Sequence, residues 1–171
     1  MGLNSEVREL LRQGREDAVA ELVVADRRAL RPLMGRLWDP DGEIRMRAAR
    51  AVGHASSAHP DLGVEMIRRL MWALNDESAT NGVHAIPALG EIGRAAPELM
   101  APYVSALVSM SWDDGIRLEL LRALTAIARS APGLVAEHLP CLSRSIDESR
   151  PDECQALRRL SAAVEGSDDD E

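Results

Sequence analysis

The chain has 171 residues, a length typical of one domain or one short array of repeats. It contains no Phe, one Tyr and three Trp, so its core must come from Leu, Ala, Val, Ile and Met, a set that favours packed helices over sheets. The formal net charge is −8, which argues against binding to a phosphate backbone, and no segment approaches the roughly 18 apolar residues of a membrane span. Since the first residues also lack the apolar region of a secretory signal, we expect a cytoplasmic protein without membrane or nucleic-acid partners.

The N-terminal part of the chain predicts short helices. Helices are expected over residues 5–13 and 16–25, and together they form an N-terminal helical cap over residues 1–26. Asp26 then offers an N-cap for a third helix over about residues 27–38. After the turn WDPDGE, one stripe of apolar residues at helical spacing predicts an amphipathic helix through Ile44, Ala48, Ala51, Val52 and Ala55.

The same two-part unit then recurs three times. Its predicted helix pairs are 61–74 with 81–94, 97–111 with 115–129, and 133–145 with 151–164. Prolines at the starts of these segments fit first-turn positions, where a missing N–H costs nothing: Pro60, Pro97, Pro132 and Pro151. The last residues, 165–171, have the composition of a disordered acidic tail.

A period of about 37 residues connects these units. Aspartates stand 37, 37 and 34 residues apart at Asp39, Asp76, Asp113 and Asp147. Repetition at this length is typical of stacked helix pairs, because one pair cannot bury its own apolar face. The fold predicted from the sequence is therefore all-α, a right-handed α-α superhelix, with the repeat array over residues 27–164.

The segment WDPDGEIRMRAARAVG resembles the core pattern of HEAT-like repeats, especially the bacterial ones first named from phycobilisome lyases. Looser matches follow in NDESATNGVHAIPALGEIG, in WDDGIRLELLRALTAIA and in IDESRPDECQALRRLSAAV. The resemblance implies an armadillo-like solenoid and is nearly silent on activity. It also implies that Asp39 with Arg45, and Asp113 with Arg117, form a ladder of turn carboxylates and helix arginines between neighbouring repeats.

The second helices of such pairs usually line a concave surface, where partners dock. Superposing them by the repeat period predicts a partner-binding face rich in arginine, on which Arg outnumbers carboxylates. Its residues are Arg47, Arg50, His54, His84, Glu91, Arg94, Glu119, Arg122, Arg129 and Arg159. A merely solvated face is the alternative interpretation.

The second unit departs from the pattern. Gly82 stands where Arg45 and Arg117 stand in the first and third units, and Pro87 interrupts the helix, which then begins near Ile86. A longer loop in this unit predicts an irregular-loop candidate site made of Asp76, Glu77, Asn81 and His84.

These observations favour a non-enzymatic scaffold that binds another protein or peptide, with no catalytic residues, no metal and no cofactor. One alternative is a lyase-type enzyme or accessory protein that handles a tetrapyrrole or a similar ligand. Another is a HEAT-like DNA glycosylase or nucleic-acid-binding protein, which the charge disfavours. It would also need aromatic residues in its groove, whereas we expect Trp38, Trp72 and Trp112 to serve as core or turn packing. HEAT-like hydroxylases need repeated His-Glu dyads, and no His in the chain is followed by Glu.

Overall fold

The computed structural model describes residues 2–75 and 82–166. Within these ranges the chain is helical and contains no strand, which confirms the all-α prediction. The N-terminal cap consists of α1 (Leu3–Arg12) and α2 (Glu16–Ala25), joined through Gly14, whose φ of 67° requires glycine. The chain thus reverses direction within three residues.

Asp26 begins the next segment as predicted. A 3-10 turn, Arg27–Ala29, leads into α3 (Leu30–Arg36), and the Asp26 carboxylate accepts a bond from the Arg28 backbone N–H at 3.0 Å. The Arg28 guanidinium also donates to this carboxylate, and the two bonds together lower the pKa of Asp26. The N-cap inferred from sequence is confirmed, although the helix it starts is shorter than 27–38.

Two long helices follow: α4 completes the first unit, and α5 begins the second. α4 (Gly42–Ala58) is capped by Asp41, whose carboxylate accepts the backbone N–H of Glu43 at 2.9 Å. α5 (Pro60–Asn75) starts on Pro60 as predicted. The next described residues form a 3-10 turn, Gly82–His84, and then α6 (Ala85–Ala95). Pro87 therefore lies in the first turn of α6, where its missing N–H has no helical partner to lose.

The helix predicted over residues 97–111 is wrong as a single element. It consists of α7 (Pro97–Met100), a 3-10 turn Ala101–Tyr103, α8 (Val104–Ser109) and a second 3-10 turn, Met110–Trp112. Pro102 explains the break, because its ring removes a backbone donor and crowds the preceding turn. α9 (Arg117–Ser130) follows as one continuous helix.

The last unit is interrupted in the same way. The predicted helix 133–145 is divided into α10 (Gly133–Ala136) and α11 (Leu139–Ser145), with Pro140 in the first turn of α11. α12 (Pro151–Glu165) ends at Gly166, which has a φ of 70°. Glu165, predicted to open the tail, is the last residue of this helix, and residues 167–171 lie outside the described residues.

Five of these helices contact one another in chain order, namely α2, α4, α6, α9 and α12. We call this row the helix ladder. The other helices pack beside it: α3 and α5 against α4, α5 and α7 against α6, and α10 against α9. Fully buried leucines and isoleucines such as Leu70, Leu89, Ile92 and Leu124 fill the space between the two layers.

Glycines allow the middle helices of the ladder to pack closely against one another. A Cβ on Gly53 of α4 would lie 2.7 Å from the carbonyl oxygen of Glu91, and a Cβ on Gly90 of α6 would lie 2.9 Å from Cα of Ala123. Neither position has room for a side chain, so backbone packs on backbone. Since Gly90 faces Ala123 and the Arg94 carbonyl accepts the Ser130 hydroxyl, α6 and α9 run parallel.

Candidate functional site: the exposed face of the helix ladder

The turn arginines have a different role from the one that the family resemblance implies. Arg45 donates to the backbone carbonyls of Asp39 at 2.7 Å and Pro40 at 3.2 Å, rather than to the Asp39 carboxylate. That carboxylate accepts the Arg36 guanidinium at 2.8 Å and the Asp41 backbone N–H at 3.1 Å. Among the residues that the structure describes, the arginine therefore closes the turn of its own unit.

Asp39 is nearly inaccessible, with a side-chain exposure of 1%. Its burial alone would raise the pKa of the carboxyl group, but the bonds from Arg36 and from the Asp41 N–H outweigh burial and lower the pKa below its ordinary value. The ionised form is therefore the one that the fold stabilises.

Arg117 both closes its turn and joins two units. Its guanidinium donates to the carbonyls of Ser111 at 2.5 Å and Trp112 at 3.0 Å, and to Glu153 of α12 at 3.1 Å. Arg117 and Glu153 have side-chain exposures of 9% and 5%. Arg150 donates to the other Glu153 oxygen at 3.0 Å, so both oxygens of the buried carboxylate are satisfied.

Several residues predicted for partner binding are occupied within the protein. Arg47 donates to the carbonyls of Leu11 at 2.8 Å and Arg12 at 2.7 Å and is paired with Glu43, so it fastens the N-terminal cap to α4. Its assignment to the partner-binding set is thereby weakened, because its donors satisfy the orphan carbonyls at the end of α1.

The residues near α2 form a second internally paired group. His54 Nδ1 contacts the Asp17 carboxylate, and Arg50 lies 3.8 Å from Glu16 while its side chain stays 53% exposed. The side chains of Glu91 and Arg94 pair on α6 at 2.8 Å. Asp17 and His54 line two cavities of about 530 and 430 Å³ beside α2, α4 and α6, and Arg94 lines the second of them.

One cavity of about 300 Å³ opens across α4, α6 and α9. His84, Glu119 and Arg122 of the predicted face line it, together with Arg45 and Pro87, which the sequence analysis noted for other reasons. Gly42, Met46 and Val83 complete the lining, and the sequence analysis did not single them out. Met46 is 41% exposed, which is unusual for a large apolar side chain in this protein. The sequence held a signal for it, because Met46 and Val83 are one repeat period apart, next to the row that contains Arg47 and His84.

A second cavity, of about 200 Å³, continues between α9 and α12 and shares Arg122 with the first. It brings together three arginines of the predicted face, Arg122, Arg129 and Arg159. Its remaining lining residues include Asp152, Gln155 and Thr125. Arg122 pairs with Glu119 of its own helix yet keeps 59% of its side chain exposed.

The irregular-loop site remains a prediction. Asp76, Glu77 and Asn81 lie outside the described residues, and only His84 can be placed, on the wall of the first cavity. Gly82 is buried, and a Cβ there would lie 3.3 Å from Cα of Leu74. The unit that lacks the repeated arginine thus brings its backbone against the end of α5.

Two tryptophans differ from the expectation of core or turn packing. Trp72 on α5 is 71% exposed and Trp112, just before α9, is 77% exposed, whereas Trp38 packs against the core. Trp72 lies on α5 and Trp112 in the 3-10 turn before α9, so neither ring belongs to a helix of the ladder.

In residues 2–75 and 82–166, no three His, Cys, Asp or Glu side chains are grouped so as to hold a metal ion. None of the helices described is long and apolar enough to cross a lipid bilayer.

Comparisons with known proteins give a likeness of fold. No family model matches the chain, and no curated protein matches it. The crystal structure of an engineered protein, a target of the Northeast Structural Genomics Consortium, is similar with a TM-score of 0.56 and 19% sequence identity, and the match covers 97% of this chain and 85% of that one. At this identity the likeness concerns the fold alone.

Proposed function

We propose that the chain is a HEAT-like solenoid that acts as a non-enzymatic scaffold and binds a protein or peptide partner through the exposed face of the helix ladder. The solenoid interpretation is supported by the contacts of α2, α4, α6, α9 and α12 in chain order. It is further supported by the repeat period, which places equivalent residues of successive units on one face.

The observation that carries the proposed function is that two neighbouring cavities on this face share a lining residue. They share Arg122, and they combine exposed apolar side chains with arginines. Such a combination is typical of protein-binding surfaces, where aromatic or aliphatic anchors and Arg supply most of the affinity. An acidic protein with a locally arginine-rich groove is suited to a partner segment that carries carboxylates.

Reversing two charges on the face tests this function. In Arg50→Glu with Arg122→Glu, both altered side chains are more than half exposed, so the fold should tolerate the change. We expect loss of partners that the parent chain captures from a lysate of its source, with an unchanged helical circular dichroism signal. A matched control is Arg68→Glu with Arg144→Glu, which changes the net charge equally on α5 and α11, outside the ladder. Equal loss in the control, or undiminished capture by the first variant, would contradict the proposal.

A further inference from the structure

The two cavities that share Arg122 differ in chemistry, and this difference bears on the partner's sequence. The first has apolar lining from Met46, Val83 and Pro87. Three of its polar side chains are engaged already, since Arg45 donates to the Asp39 carbonyl and Arg122 pairs with Glu119. A partner residue gains there mainly by covering exposed apolar surface, which is worth about 25 cal/mol per Å².

The second cavity is basic. Among the described residues that line it are Arg122, Arg129 and Arg159 and one carboxylate, that of Asp152. Asp152 precedes Arg159 by seven residues on α12, which is about 10 Å of helix, so the Arg129 and Arg159 end is the cationic one. Among the residues that the structure describes, Arg159 has neither a hydrogen bond nor an ion pair, and guanidinium groups bind carboxylates through two parallel hydrogen bonds.

From this arrangement, and on the basis of the proposed function, we infer that the partner is an extended acidic segment with one apolar anchor. The anchor occupies the cavity at Met46, Val83 and Pro87, and the carboxylates bind Arg129 and Arg159. The α4–α6 groove and the α9–α12 groove are two helix spacings apart, and each spacing is about 8–10 Å. A further ~10 Å along the helix axis separates the level of Arg122 from that of Arg129.

The path is therefore a diagonal of about 20 Å, which an extended chain at ~3.3 Å per residue spans in roughly six or seven residues. The inference gives a definite partner motif: an aliphatic or aromatic residue and a pair of acidic residues, about six or seven positions apart. Either chain direction satisfies the geometry.

Selection of a display library of random 16-residue peptides against the immobilised full chain tests the motif. Enriched peptides are then measured by fluorescence polarisation against the parent and three variants. We expect peptides with the stated spacing, and binding by Arg129→Glu with Arg159→Glu weaker by about tenfold or more, equivalent to about 1.4 kcal/mol. Met46→Ser should weaken binding less, by about threefold, while the double variant of Arg68 and Arg144 binds as the parent does.

Replacing the acidic pair of a peptide by Asn and Gln should remove its sensitivity to the Arg129 and Arg159 reversal. Enriched peptides without carboxylates, or with an anchor adjacent to its acids, would overturn the motif and leave the proposed function standing. Peptides that bind all variants equally would place the binding surface elsewhere and overturn both.

Discussion

Two neighbouring contacts between helices of the ladder, which we call joints, are built in opposite ways. Between α6 and α9, Gly90 faces Ala123 and leaves no space for even a methyl group. Between α9 and α12, the equivalent position is Thr125, and a cavity of about 200 Å³ opens beside it. There the buried Arg117–Glu153 pair makes the connection with long polar side chains.

The comparison shows how one repeat period accommodates two kinds of joint. Glycine lets backbones meet and fills the interface by contact alone. At the α9–α12 joint, Thr125 lines a cavity that also contains three arginines, which are suited to carboxylates of a partner. The α9–α12 joint therefore adds the basic part of the proposed binding surface, while the cavity across α4, α6 and α9 supplies its apolar part.

The largest expected effect comes from breaking the polar joint. Arg117→Met removes the main partner of the buried Glu153 and should cost about 3 kcal/mol of unfolding free energy, near the lower end for a broken buried pair because Arg150 still donates. Urea unfolding followed by circular dichroism measures it. Combining Arg117→Met with Glu153→Leu should recover most of the loss, since no buried charge then remains. An Arg117→Met variant as stable as the parent would show that the pair does not hold the joint.

The glycine joint should be sensitive to a single methyl group. Gly90→Ala forces α6 and α9 apart against the backbone of Ala123, and we expect a destabilisation of about 2 kcal/mol. The matched control is Gly35→Ala, also in a helix, where a Cβ meets nothing within 4 Å and should stabilise by about 0.5–1 kcal/mol. Thermal unfolding of both variants gives the comparison. If Gly90→Ala raised the melting temperature as Gly35→Ala does, the close approach would be refuted.

A smaller, pH-dependent effect is expected at the first turn. Because the folded protein lowers the pKa of Asp39 below its ordinary value of 3.8, its contribution to stability is complete above that pH and is lost as pH falls through the folded pKa. Asp39→Asn should therefore cost about 1.5 kcal/mol at neutral pH and progressively less below pH ~4. Unfolding midpoints from pH 7 to pH 2 measure this. A cost that stayed constant over that range would rule out the charged form as the stabilising one.

The order of the helices and several of their first residues could be predicted from the sequence, because the residues that start a helix act within one turn. Asp26 as a cap, and Pro60, Pro97 and Pro151 at helix starts, depend on backbone chemistry within one turn. Pro102 carried the same kind of signal, and it accounts for the wrong prediction of one helix over residues 97–111.

The acceptors of the arginines could not be predicted from the sequence. The repeat pattern places Arg45 near Asp39 but does not say whether it binds the carboxylate or the carbonyl, which depends on the path of the turn. Arg47 was placed on the partner-binding face, whereas its contacts with the end of α1 come from the packing of the N-terminal cap. Conversely, Met46 and Val83 were overlooked because apolar residues in a helical stretch are normally assigned to the core.

Amide chemical-shift mapping shows whether a partner peptide binds the exposed face of the helix ladder. The full chain, labelled with nitrogen-15, is titrated with a peptide selected by display. We expect the perturbed amides to cluster around Met46, Val83, Arg122 and Arg159. A cluster around Trp72 and Trp112, the exposed aromatic residues of the other layer, would contradict it.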